Sequence, residues 1–246
     1  MKMNDAATNA QRLYVEFDLE QGRPISCTKE HAHYLGNVLR LGVGDHVLLF
    51  NGRDGEWLGR ISEKSKKTCV VEPVEKIREQ TPDRNLTYLF APIKRSRLDY
   101  MVQKATEMGA SELVPVRTAY CQVSRVNEGR MIANTVEAAE QCGILNVPIV
   151  SKMQDLGTLL ENWDDERVLI FCDEGAEQKS PLEALQGIAG KRVAVLIGPE
   201  GGFSPVERRL LLGCPFVVAI SLGPRIMRAD TAAVAALALV NAVQER

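Results

Sequence analysis

Along the first eighty residues, apolar positions come in short runs: LYVEF (13–17), HVLLFN (46–51), EWLGRIS (56–62) and TCVVEPVEK (68–76). GRDG and EKSKK separate them at hairpin spacing, so the runs are expected as strands. One stretch differs. KEHAHYLGNVLR (29–40) has a helical period that sets Leu35, Val38 and Leu39 on one face, with Thr28 as amino-terminal cap and Gly42 after the end. Several strands around one helix in so short a segment predict a small closed barrel over residues 12–80. REQTPDRN (78–85) carries proline and charge but no large apolar residue, and reads as a linker.

From Leu86 the pattern changes. LTYLFAPI, ELVPVR, VPIV, RVLIFCDE, VAVLI and FVVAIS are nearly continuous apolar runs. Between them lie RSRLDYMVQKATEMG, GRMIANTVEAAEQCG and PLEALQGI, which carry helical signals. In the first, Leu98, Met101, Val102, Ala105 and Met108 share a face and Gly109 is the stop. Apolar strands alternating with helices predict an α/β fold with a parallel sheet covered on both faces, over residues 85–246.

Composition narrows the function. With 246 residues, 45% hydrophobic and 25% charged, the chain has an ordinary globular make-up. Its longest apolar run, in the last helix, is interrupted by Asn241 and is too short to span a bilayer. Residues 1–11 have no apolar core and read as a frayed leader, not a secretory signal. Six scattered cysteines without a CxxC pair argue for reduced thiols, a cytoplasmic location and no metal site. His31 and His33, two positions apart, would diverge on a helix; with His46 they read as surface residues. Residues 1–84 hold thirteen basic and thirteen acidic side chains, so the net charge of −2 lies on the remainder. Any contact with RNA must come from local patches: Lys64, Lys66 and Lys67, or Lys94, Arg95, Arg97 and Lys104 with Asp99 against them.

The chemistry concentrates between Val193 and Arg228, where two strand–glycine–helix junctions stand back to back. In an open α/β sheet, ligands bind at such an edge. In GPEGGFSPVE, Ser204 is placed as N-cap, Pro205 as the first helical residue and Glu207 as capping-box partner. Gly198, Gly201 and Gly202 let backbone groups approach a ligand. The loop is not GxGxxG, lacks the lysine of a P-loop and lacks a nucleophilic serine. Exposed backbone without a phosphate-seeking lysine suits a nucleoside such as S-adenosylmethionine. The second junction, LGPRIMRADTAA, places Arg225 and Arg228 beside the turn, with Asp230 or Thr231 as the cap of an alanine-rich helix.

LIGPEGGFSPVE and SLGPRIMRADTAA, together with QKATEMGASELVPV and EAAEQCGILNVP, closely resemble the RsmE family of SPOUT-class methyltransferases. The resemblance implies a PUA-like β-barrel over 12–80 followed by a SPOUT methyltransferase domain over 85–246, with a parallel sheet and a C-terminal trefoil knot. It implies a homodimer that uses S-adenosylmethionine to methylate N3 of a decoding-centre uridine in 16S ribosomal RNA of the small subunit. Carried over by motif, the cofactor would meet Cys172, Gly198, Pro199, Glu200, Gly201, Leu222, Gly223, Ile226 and Met227. Arg228 and Arg12 match arginines near the target base; Lys94, Arg95, Arg97 and Arg225 are further candidates for RNA contact. The chain departs from the pattern in two respects: Ile144 and Leu145 follow EQCG where an arginine is common, and Asp230 replaces a glutamate. Arginine stays protonated, so Arg228, with Arg12 of a partner subunit, would stabilise charge on the carbonyls flanking N3. The base is left open among Glu200, Asp230 and water. A non-catalytic ribosomal RNA-binding protein and a ribose 2′-O-methyltransferase are the alternatives.

Overall fold

The structure, a computed structural model, describes residues 10–65, 68–176 and 180–244. Two compact units divide it. One holds the described residues up to Pro82 together with Ala139–Val147; the other holds Asp83–Ala138 and the described residues from Pro148 onward.

In the N-terminal unit, β1 (Arg12–Tyr14), β2 (Ile25–Ser26), β3 (His46–Phe50), β4 (Glu56–Lys64) and β5 (Cys69–Arg78) form a sheet in the order β1-β3-β4-β5-β2. β1 runs parallel to β3 and the other pairs are antiparallel. Leu13, Val47, Leu49, Ile61 and Val71 make its core. α1 (Lys29–His33) is capped as expected, Thr28 Oγ1 accepting from the His31 N–H at 3.1 Å. The helix then departs from expectation. Tyr34–Val38 is a π-helical turn, and the Leu39 N–H reaches back five residues to the Tyr34 carbonyl at 3.0 Å. That wider turn keeps Leu35 buried but swings Val38 outward, to 59% exposure. The left-handed residue that ends the turn is Arg40 (φ 57°), ahead of the expected Gly42.

The C-terminal unit contains β6 (Leu86–Phe90), α2 (Arg95–Glu107), β7 (Glu112–Arg117), the greater part of α3 (Glu128–Gln141), β8 (Ile149–Val150), β9 (Gln154–Asp155) and α4 (Leu156–Glu161). It continues through β10 (Arg167–Cys172), α5 (Pro181–Gln186), β11 (Arg192–Ile197), α6 (Pro205–Leu212), β12 (Val217–Ile220) and α7 (Ala229–Gln244). The sheet order is β12-β10-β11-β6-β7-β8, parallel throughout, with the short β9 paired to β7. Alternate side chains go to opposite faces. Tyr88, Phe90, Ile170, Val193 and Val195 meet α2, α5 and α7 on one face. Leu89, Leu169, Phe171, Ala194 and Leu196 meet α4 and α6 on the other.

α7 buries Ala229, Ala233, Ala236, Leu237, Val240 and Val243 along one stripe. Asn241, the polar break in its apolar run, donates to the Met108 carbonyl at the end of α2 at 2.7 Å. Among the described residues no helix is long and apolar enough to cross a membrane.

The topology explains where a ligand can sit. β10 and β11 are neighbours, and the chain then returns to lay β12 on the far side of β10. In register, Phe171 lies opposite Leu196 and Cys172 opposite Ile220. The parallel strands therefore end at one edge, and the turns that follow them must meet there.

Candidate functional site

A cleft of about 290 Å³ opens at that edge. One wall is the end of β10, from Cys172 to Gly175. A second is the turn after β11, where Gly198, Pro199, Glu200 and Gly201 line it, and a third comes from Leu222, Gly223, Ile226 and Met227 after β12. All nine residues expected to meet a nucleoside thus line one cavity, with Arg225 beside them and Ala229 and Ala232 of α7 as its floor.

Local chemistry holds the turns. At Ser204 the capping box is complete: its N–H donates to Glu207 Oε2 at 2.8 Å and its Oγ accepts from the Glu207 N–H at 3.2 Å. The other oxygen of Glu207 accepts the Ala119 N–H at 2.7 Å, which ties the loop after β7 to the same helix start. Gly198 is required by proximity, since a Cβ there would lie 2.5 Å from the Phe203 ring. That ring stands edge-on to Phe171 with centroids 5.1 Å apart. Gly198→Ala is expected to cost about 1–3 kcal/mol by overpacking, measured by urea unfolding; an unchanged midpoint would show that Phe203 can yield. Gly223 adopts φ 108°, which an L side chain rarely takes.

The last turn corrects one expectation. α7 opens at Ala229, so Arg228 and not Asp230 or Thr231 holds the capping position, its carbonyl accepting from the Ala232 N–H at 2.8 Å. Asp230 falls inside the first turn and accepts the Thr231 N–H at 3.0 Å.

Several cleft residues escaped the sequence reading, Asp173, Arg208 and Phe203 among them. Asp173 Oδ2 accepts Arg208 Nε at 2.9 Å and its Oδ1 accepts the Gly175 N–H at 3.1 Å. Arg208 also donates to the Gly175 carbonyl, folding this wall over the cleft. Phe203 lines it as well, and the pair of acids ending RVLIFCDE was an advance signal for Asp173 alone of these three. The sulfur of Cys172 sits among apolar strand ends, and burial pushes its thiol up to about 12, so it stays protonated and serves as an apolar wall.

A second cavity adjoins the first. Lys94, Ser96, Arg97, Gln122 and Arg228 line it against Pro92, Ile93 and Val123, and Glu200 is common to both cavities. Arg97 Nη1 donates to Glu200 Oε1 at 3.2 Å. The basic patch on α2 is therefore divided. Lys94 and Arg97 face this cavity, while Arg95 lines a third hollow with Arg125 and Arg130. Lys104 donates to Glu107 at 2.7 Å. Asp99 receives two N–H groups of Arg130, at 2.7 and 2.6 Å, which hold its carboxyl below the usual range, and the charge of Arg95 in the patch adds to that effect.

In the other basic patch Lys64 donates to the Leu41 carbonyl, and Lys66 and Lys67 lie outside the described residues. Arg12 lies in the N-terminal unit and Arg228 in the C-terminal one. The Arg12 guanidinium donates to Glu56 at 2.6 Å, to the carbonyls of Glu140 at 3.1 Å and Ile144 at 2.8 Å, and to that of Ala139. It also lies 4.3 Å from the centre of the Phe50 ring.

The parallel sheet and its cleft fall in a stretch, residues 79–241, that matches the model of the RNA methyltransferase domain. The model of the PUA domain of RNA methyltransferases matches residues 28–74. Ribosomal RNA small subunit methyltransferase E of Rickettsia conorii is 33% identical over 232 residues, 94% of either chain. That of Bacillus subtilis is 26% identical over 94% of this chain and 96% of its own. A methyltransferase from Legionella pneumophila, solved with S-adenosylmethionine bound, has a TM-score of 0.83 at 28% identity, covering 96% of this chain and 98% of that one. The chain belongs to the ribosomal RNA small subunit methyltransferase E family.

Proposed function

We propose that this protein methylates N3 of a uridine in 16S ribosomal RNA, with S-adenosylmethionine held in the cleft at the ends of β10, β11 and β12. The observation that carries the reading is the convergence of both glycine turns on one cleft, with Arg228 in a cavity that shares Glu200 with it. The lining fits that cofactor. Among the described residues no lysine contributes to it, and one of its arginines, Arg208, is tied to Asp173. Gly198, Gly201 and Gly223 bring main-chain donors and acceptors to a nucleoside edge, while Glu174 and Glu200 supply negative charge for a cationic ligand. Bound there, S-adenosylmethionine would supply a methyl group already activated on a sulfonium sulfur.

The remaining work belongs to the protein. Ionising an imide N–H spreads negative charge onto the flanking carbonyl oxygens, and a guanidinium preorganised beside them lowers that cost. Arg228, just before α7 and in the wall of the second cavity, would serve as that guanidinium. Arg12 already directs its donors at acceptors within its own unit, so the mechanism rests on Arg228. Lys94, Arg97 and Arg225 would take RNA phosphates. The return of β12 to the far side of β10 supports a trefoil knot, and the family reading adds a closed PUA-like barrel, a homodimer, the small subunit as substrate and a cytoplasmic location.

Small subunits lacking the modification, incubated with the protein and labelled S-adenosylmethionine, should acquire label on one uridine. Nucleoside digestion should place it on the base. Label on ribose would make the protein a 2′-O-methyltransferase, and failure of S-adenosylmethionine to bind at equilibrium would make it an RNA-binding protein without chemistry.

A further inference from the structure

The two cavities meet at one carboxylate. Of the acids lining the cleft among the described residues, Asp173 is held by Arg208 and Glu174 lines the cleft alone. Glu200 stands in both walls, and in the second it shares the cavity with Arg228. Asp230 lines neither cavity and its carboxylate is turned to the Thr231 N–H. Besides Glu200 and Arg228, the second cavity offers two kinds of surface. Pro92, Ile93 and Val123 are apolar, suited to the face of a base, while Lys94 and Arg97 are cations suited to its phosphate.

Resting on the reading that N3 of a uridine is the target, we propose that the second cavity seats the target nucleotide and that Glu200 takes its imide proton. Arg97 holds the carboxylate until the nucleotide arrives. Arg97 and Glu200 keep 36% and 48% of their side chains exposed. A pair so open to water is weak, and a phosphate can draw the guanidinium away. The step balances: the N3–H bond breaks, the proton forms an O–H bond on Glu200, and the bonding pair stays on N3. The resulting charge is shared with the flanking carbonyl oxygens, which Arg228 stabilises. Glu200 then passes the proton to water.

The test has two arms, each on the full chain. Without cofactor, binding to small subunits lacking the modification should tighten several-fold for Glu200→Gln, which removes a negative charge and releases Arg97. It should weaken several-fold for Arg97→Ala, with a salt slope shallower by about 1. With saturating cofactor, single-turnover methylation by Glu200→Gln should fall by about 10²- to 10⁴-fold, the usual contribution of a general base. A 5-fluorouridine at the target position, whose imide is more acidic, should restore much of that loss and change the wild-type rate little. A Glu200→Gln enzyme at the wild-type rate, or one the acidic base does not rescue, overturns the proton assignment. Unchanged subunit affinity in both variants overturns the assignment of the cavity. A wild-type product methylated elsewhere than N3 sinks the underlying reading instead, so the two failures are told apart.

Discussion

Replacing Glu56 by alanine should cost about 3–5 kcal/mol of stability, as breaking a buried ion pair does when it leaves its partner charge uncompensated. Glu56 lies on β4 with 5% of its side chain exposed and receives two arginines, Arg12 at 2.6 Å and Arg78 at 2.8 Å. Only 11% of the Arg12 side chain is exposed, so the guanidinium cannot recover its lost partner in water. Glu56→Gln keeps acceptor oxygen but not charge and should lose less. Hydrogen exchange at the β3–β4 ladder is the appropriate measurement, because it reports on this unit by itself. Protection as strong in Glu56→Ala as in the wild type would show that the carbonyls of Glu140 and Ile144 suffice to hold Arg12.

The second large effect concerns chemistry. Arg228→Ala should lower single-turnover methylation by about 10²- to 10³-fold, the range for removing one preorganised donor from a developing oxyanion. The dissociation constant of S-adenosylmethionine should stay near the wild-type value, because Arg228 lines the second cavity and not the cleft. Arg228→Lys should recover only part of the loss, since an ammonium cannot present two donors in a plane. A Arg228→Ala enzyme that keeps its turnover would remove this residue from the mechanism.

These residues were not equally visible in the sequence. Ser204, Pro205 and Glu207 declared the start of α6 because a capping box is closed within four positions. The glycine turns were legible for the same reason, and the apolar runs of the C-terminal unit announced their strands. What escaped was non-local or depended on packing. The pairing of Arg97 with Glu200 spans 103 positions, and Arg12 finds carbonyls 128 and 132 positions away. No spacing rule reaches so far. The π turn after α1 escaped because five-residue and four-residue hydrogen bonding suit the same side chains, and either leaves Leu35 buried. The lengthened start of α7 escaped because Asp and Thr are the better caps by type, yet the backbone bond from Ala232 to Arg228 fixed the boundary earlier.

The membership of Ala139–Val147 in the first unit bears on synthesis. A chain emerging from the ribosome has all five strands of that unit once residue 78 is out, but the carbonyl acceptors for Arg12 and Arg78 arrive with residues 139–144. The first unit must therefore wait, incomplete, while β6, α2, β7 and α3 of the other are made. A fragment ended at residue 82 would keep Glu56 against both guanidiniums but lack those carbonyls, so the last hydrogen bonds of the first unit close only after much of the second has been translated.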